Sequence, residues 1–191
     1  MALLFIRRKN QNMATYIAML RGINVSGHKT IKMEQLRASL AELGFSNIET
    51  YVQSGNVVFE AANASAASLS TTIERKILRD FGFSVPVFLT TSKKVAVIIK
   101  QNPFLKSPNI DHSKLHVTFL SEDPPETALE QLQPLAVKPE QFRIMGREIY
   151  LYCPNGYGNT RLSNTAIEKK LSVVATTRNW NTVNTLLAMA Q

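Results

Sequence analysis

Two glycine-centred hairpins recur in this chain, each followed by a helical pattern and then by a short strand closed by two threonines. The first hairpin is Ser54-Gly55-Asn56-Val57-Val58-Phe59, and its strand ends at Thr90-Thr91. The second is Met145-Gly146-Arg147-Glu148-Ile149-Tyr150, and its strand ends at Thr176-Thr177. A repeated order of elements constrains the fold more than any single motif, because it dictates which strands pair and which loops share a sheet edge.

Each half reads βαββαβ. Residues 15–20 form a short apolar run ending at Arg21-Gly22, a buried strand. Met33, Leu36, Leu40 and Leu43 recur at helical spacing, and Gly44 stops that helix. Residues 48–53 and 57–60 flank Ser54-Gly55-Asn56 as a hairpin. Leu69, Ile73, Ile77, Leu78 and Phe81 give a second amphipathic helix, closed by Gly82. Residues 85–89 are the fourth strand. Pro86 inside it argues for a sheet edge, since proline cannot donate to a ladder. A helix over residues 93–100 follows. In the second half, residues 115–120 are a strand, and a helix starts after Pro124-Pro125. Residues 141–145 and 148–152 form the second hairpin. Thr165 and Glu168 have the spacing of a capping box. Residues 173–176 are the last strand, and a helix over 181–189 ends the chain.

The fold class predicted is α+β: two tandem ferredoxin-like (βαββαβ) units packed as one compact protein. Residues 1–12 read as a mobile N-terminal extension. Residues 13–101 are the first unit with an added helix, 102–114 a linker marked by Asn102-Pro103-Phe104 and Pro108, and 115–191 the second unit with a C-terminal helix.

This topology places loops. In a βαββαβ sheet the strand order is 4-1-3-2, with the first and second strands parallel and the third antiparallel between them. Arg21-Gly22-Ile23-Asn24 is therefore predicted beside Gln53-Ser54-Gly55-Asn56, on strands about 5 Å apart. In the second half the third and fourth strands run parallel, about 10 Å apart, which brings residues 155–161 near residues 177–180. The candidate ligand-binding residues are Arg21, Asn24, Ser54 and Asn56 in the first cluster and Tyr157, Arg161, Arg178 and Trp180 in the second. Arginine presents a planar fork suited to carboxylate or phosphate. The first loop has no acid between Arg21 and Lys32, carries Lys29, and leads into a helix N-terminus that favours negative charge. Tyr157 and Trp180 offer flat faces on which a base can stack beside arginine. A plainer account stands beside each cluster: asparagines satisfying backbone groups in a glycine turn, and the single tryptophan packed under its loop.

Other chemistries find little support. No Gly-Lys-Ser/Thr triplet follows the glycines, so there is no P-loop. His28, His112 and His116 lack partners at metal-ligand spacing, so no metal is expected. Cys153 is the only cysteine, which rules out an intrachain disulfide and points weakly to a reducing compartment. It has no local histidine to make it a nucleophile. Tyr150 and Tyr152 alternate on one strand and share a face, read as packing against helices. Lys93, Lys94 and Lys100 read as an exposed helix face. The formal net charge is +8, including Arg7, Arg8 and Lys9 of the extension, and is compatible with an anionic partner. Apolar runs such as residues 95–99 are too short to span a bilayer, so no membrane partner is expected.

Five segments together resemble the bacterial domain of unknown function 1697 family: residues 16–25 (YIAMLRGINV), 51–59 (YVQSGNVVF), Asn102-Pro103-Phe104, residues 151–158 (LYCPNGYG) and residues 175–183 (ATTRNWNTV). The resemblance spans nearly the whole chain from Met13. It implies a cytoplasmic bacterial α/β protein and brings no established reaction, cofactor or catalytic residue. It also implies that residues 1–12 are an extension. Family loops often carry a basic residue after the glycine at position 158; here Asn159 stands there, with Arg161 two positions on. The leading functional expectation is binding of a phosphorylated small molecule or nucleic acid at the basic Gly/Asn-rich loops, without a cofactor. The alternatives are a small metal-independent enzyme using the same cleft and a structural or oligomeric module with exposed strand edges.

Overall fold

The computed structural model describes residues 13–25 and 27–191; the extension expected over residues 1–12 lies outside them. Among the described residues eight strands form two four-stranded sheets in which all hydrogen-bonded neighbours are antiparallel. The first sheet contains β1 (Met13–Leu20), β2 (Ser46–Tyr51), β3 (Asn56–Ala62) and β4 (Val87–Thr91), in the order β2-β3-β1-β4. The second contains β5 (Leu115–Leu120), β6 (Gln141–Met145), β7 (Glu148–Tyr152) and β8 (Ala175–Asn179), in the order β6-β7-β5-β8. The α-helices of the described residues cover them: α1 (Met33–Ala41), α2 (Ala66–Phe81), α3 (Ser92–Gln101), α4 (Ala128–Leu132), α5 (Asn164–Leu171) and α6 (Trp180–Met189). No helix among the described residues is long and apolar enough to cross a membrane.

The period-2 alternation of the central strands divides the core into three clusters. Tyr16, Ala18 and Leu20 of β1, with Val57 and Phe59 of β3, face α1 and α2 in the first cluster. The intervening Ile17, Met19 and Val58 point the other way, into a middle cluster with Val117 and Phe119 of β5, Tyr150 of β7, and apolar residues of α3 and α6. The outer face of the second sheet, Leu120, Ile149, Leu151 and Ala175, packs with α4 and α5. The middle cluster belongs to both halves. The segment joining them is part of it: Phe104, on a short 3-10 turn, is 5% exposed.

Local signals decide where elements end. Ser65 caps α2 by accepting a hydrogen bond from Ser68 N, and Gly82 closes it with φ +81°. Thr91 and Asn179 end β4 and β8 and cap the helices that follow, accepting from Lys94 N and Thr182 N. Several boundaries differ from the sequence reading, β2 for instance ending at Tyr51 and not at residue 53, and three of them bear on the site. β4 starts at Val87, so Pro86 precedes the edge strand and its carbonyl accepts from Arg21 N. β8 runs to Asn179, not Thr176, because it stays in register with β5 as far as the His116–Asn179 pair. The cap of α5 is Ser163, which accepts from Ala166 N, so Glu168 is left for other partners.

Candidate functional site

The first predicted loop cluster forms. Leu20 N donates to Gly55 O at 2.8 Å, which holds the end of β1 against the β2–β3 turn. Asn24, in the left-handed region at φ +54°, donates through Nδ2 to Gln53 O and Ile31 O and accepts from Ile31 N. Asn56 is fully buried; its Nδ2 donates to Tyr51 O and Ser54 Oγ.

The second cluster meets the first at Arg178. This residue is 8% exposed and lies on β8, on the same face as Thr176. Its Nε donates to Asn56 Oδ1, its Nη1 to Thr176 Oγ1 and Thr177 O, and its Nη2 to Leu20 O (2.9 Å) and Ser54 O (3.1 Å). Every N–H of the guanidinium fork thus has a protein acceptor. Burial, with a smaller contribution from the nearby Arg21 charge, pulls its pKa down to about 10, so it remains a cation at neutral pH. Arg21 makes the reverse connection: Nε and Nη2 donate to Glu168 Oε1 and Oε2 of α5 at 3.0 and 2.9 Å. Glu168 Oε1 also accepts from Ala175 N. Each half therefore holds an arginine of the other. No sequence pattern announces this exchange, since Glu168 has the spacing of a capping residue.

The remaining predicted residues are placed differently. Trp180 opens α6 and is 6% exposed within the middle cluster. Tyr157 stacks on His116 with ring centroids 4.9 Å apart. Its hydroxyl is buried without a hydrogen-bond partner among the described residues. Burial pushes the Tyr157 pKa up and the His116 pKa down. Arg161 is exposed. Tyr150 is buried and donates its hydroxyl to Ile98 O of α3. Burial lifts the Cys153 thiol to about 11, which keeps it protonated and unreactive at neutral pH.

A cleft that sequence reasoning did not identify opens between the halves. Its volume is ≈ 360 Å³. The first half contributes Ala66, Ala67 and Ser70 from the start of α2, Phe88 and Thr90 from β4, and Lys94 from α3; the second contributes Phe119, Ser121, Arg147 and Glu148. No acid stands in the first turn of α2, so its positive end is uncompensated. Lys94 Nζ lies 3.6 Å from Glu148 Oε1, and Arg147 forks onto Asp123 at 3.1 and 3.0 Å. Burial raises the Glu148 pKa, and Lys94 offsets this in part. Thr90 is 8% exposed, and its hydroxyl has no partner among the described residues. A larger hollow of ≈ 860 Å³ runs beside β6 between Leu129 and Ile144. It is built from one half, and none of the buried unpartnered side-chain atoms belongs to its lining.

The chain matches the family described as protein of unknown function (DUF1697) over residues 13–150, and it belongs to that family. Among solved structures it is similar to the conserved bacterial protein SP0830 from Streptococcus pneumoniae, with a TM-score of 0.74 and 22% sequence identity over 94% of this chain and 99% of that one. At that identity the likeness is one of fold. No curated protein matches the chain in sequence.

Proposed function

We propose that this protein binds a small organic ligand bearing an acidic group, a phosphate or a carboxylate, in the cleft between its halves. The observation that carries the reading is the Thr90 hydroxyl, buried and unpartnered on the wall of that cleft. A buried hydroxyl without a partner costs about 1–3 kcal/mol, a deficit that a ligand oxygen removes. Lys94, Arg147 and the N-terminal turn of α2 border the same space and favour negative charge. The cleft, at ≈ 360 Å³, is within the size range of small-molecule sites, roughly 300–1,000 Å³. A single strand of nucleic acid needs an extended groove lined with aromatic faces, and Trp180 is buried in the core. The phosphorylated small molecule is therefore preferred over nucleic acid.

In this reading Arg21, Asn24, Ser54, Asn56 and Arg178 fix the frame and do not touch the ligand. The support is that their polar groups already have protein partners. The frame itself is read as two tandem ferredoxin-like units, residues 13–101 and 115–191, arising by internal duplication. A shared element order and a shared strand order support this. The single cysteine, Cys153, supports a cytoplasmic setting.

The test is a thermal-shift and calorimetric screen of the full chain against sugar phosphates, nucleotides, carboxylic acids and a short single-stranded oligonucleotide. A small acidic compound should raise the melting temperature, and Lys94→Ala and Arg147→Ala should weaken its binding. An oligonucleotide that binds with steep salt dependence, or small-molecule binding indifferent to both substitutions, would reject the reading.

A further inference from the structure

We infer that the ligand is a zwitterion: besides its acidic group it carries a cationic amine received by Glu148, and it has an apolar body that lies on Met19, Phe88 and Phe119. This rests on the reading of the cleft as a ligand site.

The charges of the cleft alternate in sign. Arg147 is already forked onto Asp123, and Lys94 stands 3.6 Å from Glu148, longer than a good charge-assisted hydrogen bond. A guest with negative charge alone would have to enter beside two carboxylates. Glu74, on another wall, already accepts from Val87 N. Glu148 differs from it: its side chain is 13% exposed, and Lys94 stands off its carboxylate at 3.6 Å, farther than a full charge-assisted hydrogen bond. Burial raises its pKa and Lys94 offsets this only in part, so the carboxylate has room for a nearer donor. An ammonium group in the cleft would supply that donor. The acid on the same molecule would then meet Lys94, the Thr90 hydroxyl and the free N–H groups at the start of α2. Met19, Phe88 and Phe119 form an apolar patch of the lining, which suits a hydrocarbon or aromatic body.

Amino acids with apolar side chains are the simplest members of this class. The experiment is calorimetry on the full chain with phenylalanine, leucine and methionine, with their N-acetyl forms, with the corresponding deaminated acids, and with phenylethylamine and a set of phosphate monoesters. The zwitterions should bind at least about tenfold more tightly than the N-acetyl and deaminated acids, since a charge-assisted hydrogen bond to Glu148 is lost in both. Glu148→Gln should remove that preference, so that the zwitterions bind no more tightly than the deaminated acids. Equal binding of zwitterions and deaminated acids, or a preference that survives Glu148→Gln, would overturn the zwitterion and leave the acidic-ligand reading standing if Lys94→Ala still weakens binding. No heat or thermal shift with any acid, amine or phosphate ester would reject both.

Discussion

The guanidinium of Arg178, on the eighth strand, donates its Nε–H to Oδ1 of Asn56, on the third, and so joins positions 122 residues apart in sequence. The same fork closes onto the carbonyls of Leu20 and Ser54. In return Arg21, one residue beyond Leu20, reaches the second half at Glu168. Three of the five segments that carry the family resemblance, residues 16–25, 51–59 and 175–183, meet here. Arginines, asparagines and glycines in loops are the usual equipment of an anion site, and they serve equally well to fasten two sheets through buried polar contacts.

Arg178→Ala should therefore destabilise the fold. It leaves Asn56 Oδ1, Leu20 O and Ser54 O without a donor in a site where Asn56 is fully buried. Each buried group left unpaired costs about 1–3 kcal/mol, so a total loss of about 3 kcal/mol or more is expected in urea unfolding. Arg178→Lys should recover only part of it, because an ammonium cannot reproduce a planar fork of five donors. A change of less than about 1 kcal/mol in the alanine variant would show that water replaces the guanidinium.

Gly55 and Gly22 provide a controlled pair. Both have positive φ, +75° and +71°. A Cβ on Gly55 would stand 2.7 Å from Leu20 Cβ and 2.8 Å from Ile23 Cδ1, whereas a Cβ on Gly22 meets nothing within 4 Å. Gly22→Ala should lose only the left-handed backbone cost, about 1–2 kcal/mol. Gly55→Ala adds overpacking between β1 and the hairpin and should lose roughly 2–4 kcal/mol. Chemical denaturation of the two variants side by side checks the ranking; equal losses would mean that the hairpin shifts freely away from Leu20.

Much of this frame is legible in the sequence. The apolar run over residues 15–20, the glycine turn at 54–56 and the helical spacing of Leu69, Ile73 and Ile77 each fix a local element, and right-handed crossover then brings Asn24 to Gln53. The union of the two clusters was not legible. It depends on how two sheets share the middle core, and no local pattern encodes that. The cleft was hidden for the same reason: Lys94 reads as a solvated helix residue and Glu148 as part of a hairpin until the halves come together. Glu168 misled because Ser163 and Thr165 both suit a helix start, and the choice of Ser163 frees it for Arg21.

Acid should weaken the fold through Asp80. The Lys76 ammonium and the Ser39 hydroxyl, each at 2.6 Å from Oδ2, hold this carboxyl well below its ordinary value of 3.8. A carboxylate with a lowered folded-state pKa binds fewer protons folded than unfolded at acid pH. It therefore contributes stability above pH 3.8 that is lost as the pH falls below it. Melting temperatures recorded from neutral pH down into strong acid should drop below that point in the wild type. Asp80→Asn should start from a lower value and show a shallower decline. An unchanged acid limb in the variant would remove Asp80 from the account.

The two halves should unfold together. Ile17, Met19 and Val58 from the first sheet share one cluster with Val117, Phe119 and Tyr150 from the second, and Trp180 and Phe104 are embedded in the same cluster. Separating the halves would expose this apolar surface and break the Arg178 and Arg21 contacts at once, at a cost too large for either sheet to bear alone. Trp180 is the only tryptophan, so its fluorescence reports on the shared core, while far-ultraviolet circular dichroism reports on all the helices and strands. In urea the two signals should trace one coincident transition, with a slope that matches exposure of the whole chain. A tryptophan transition that precedes loss of secondary structure would mean that the middle core opens while the sheets persist, and the halves would then be independent domains held by a weak interface.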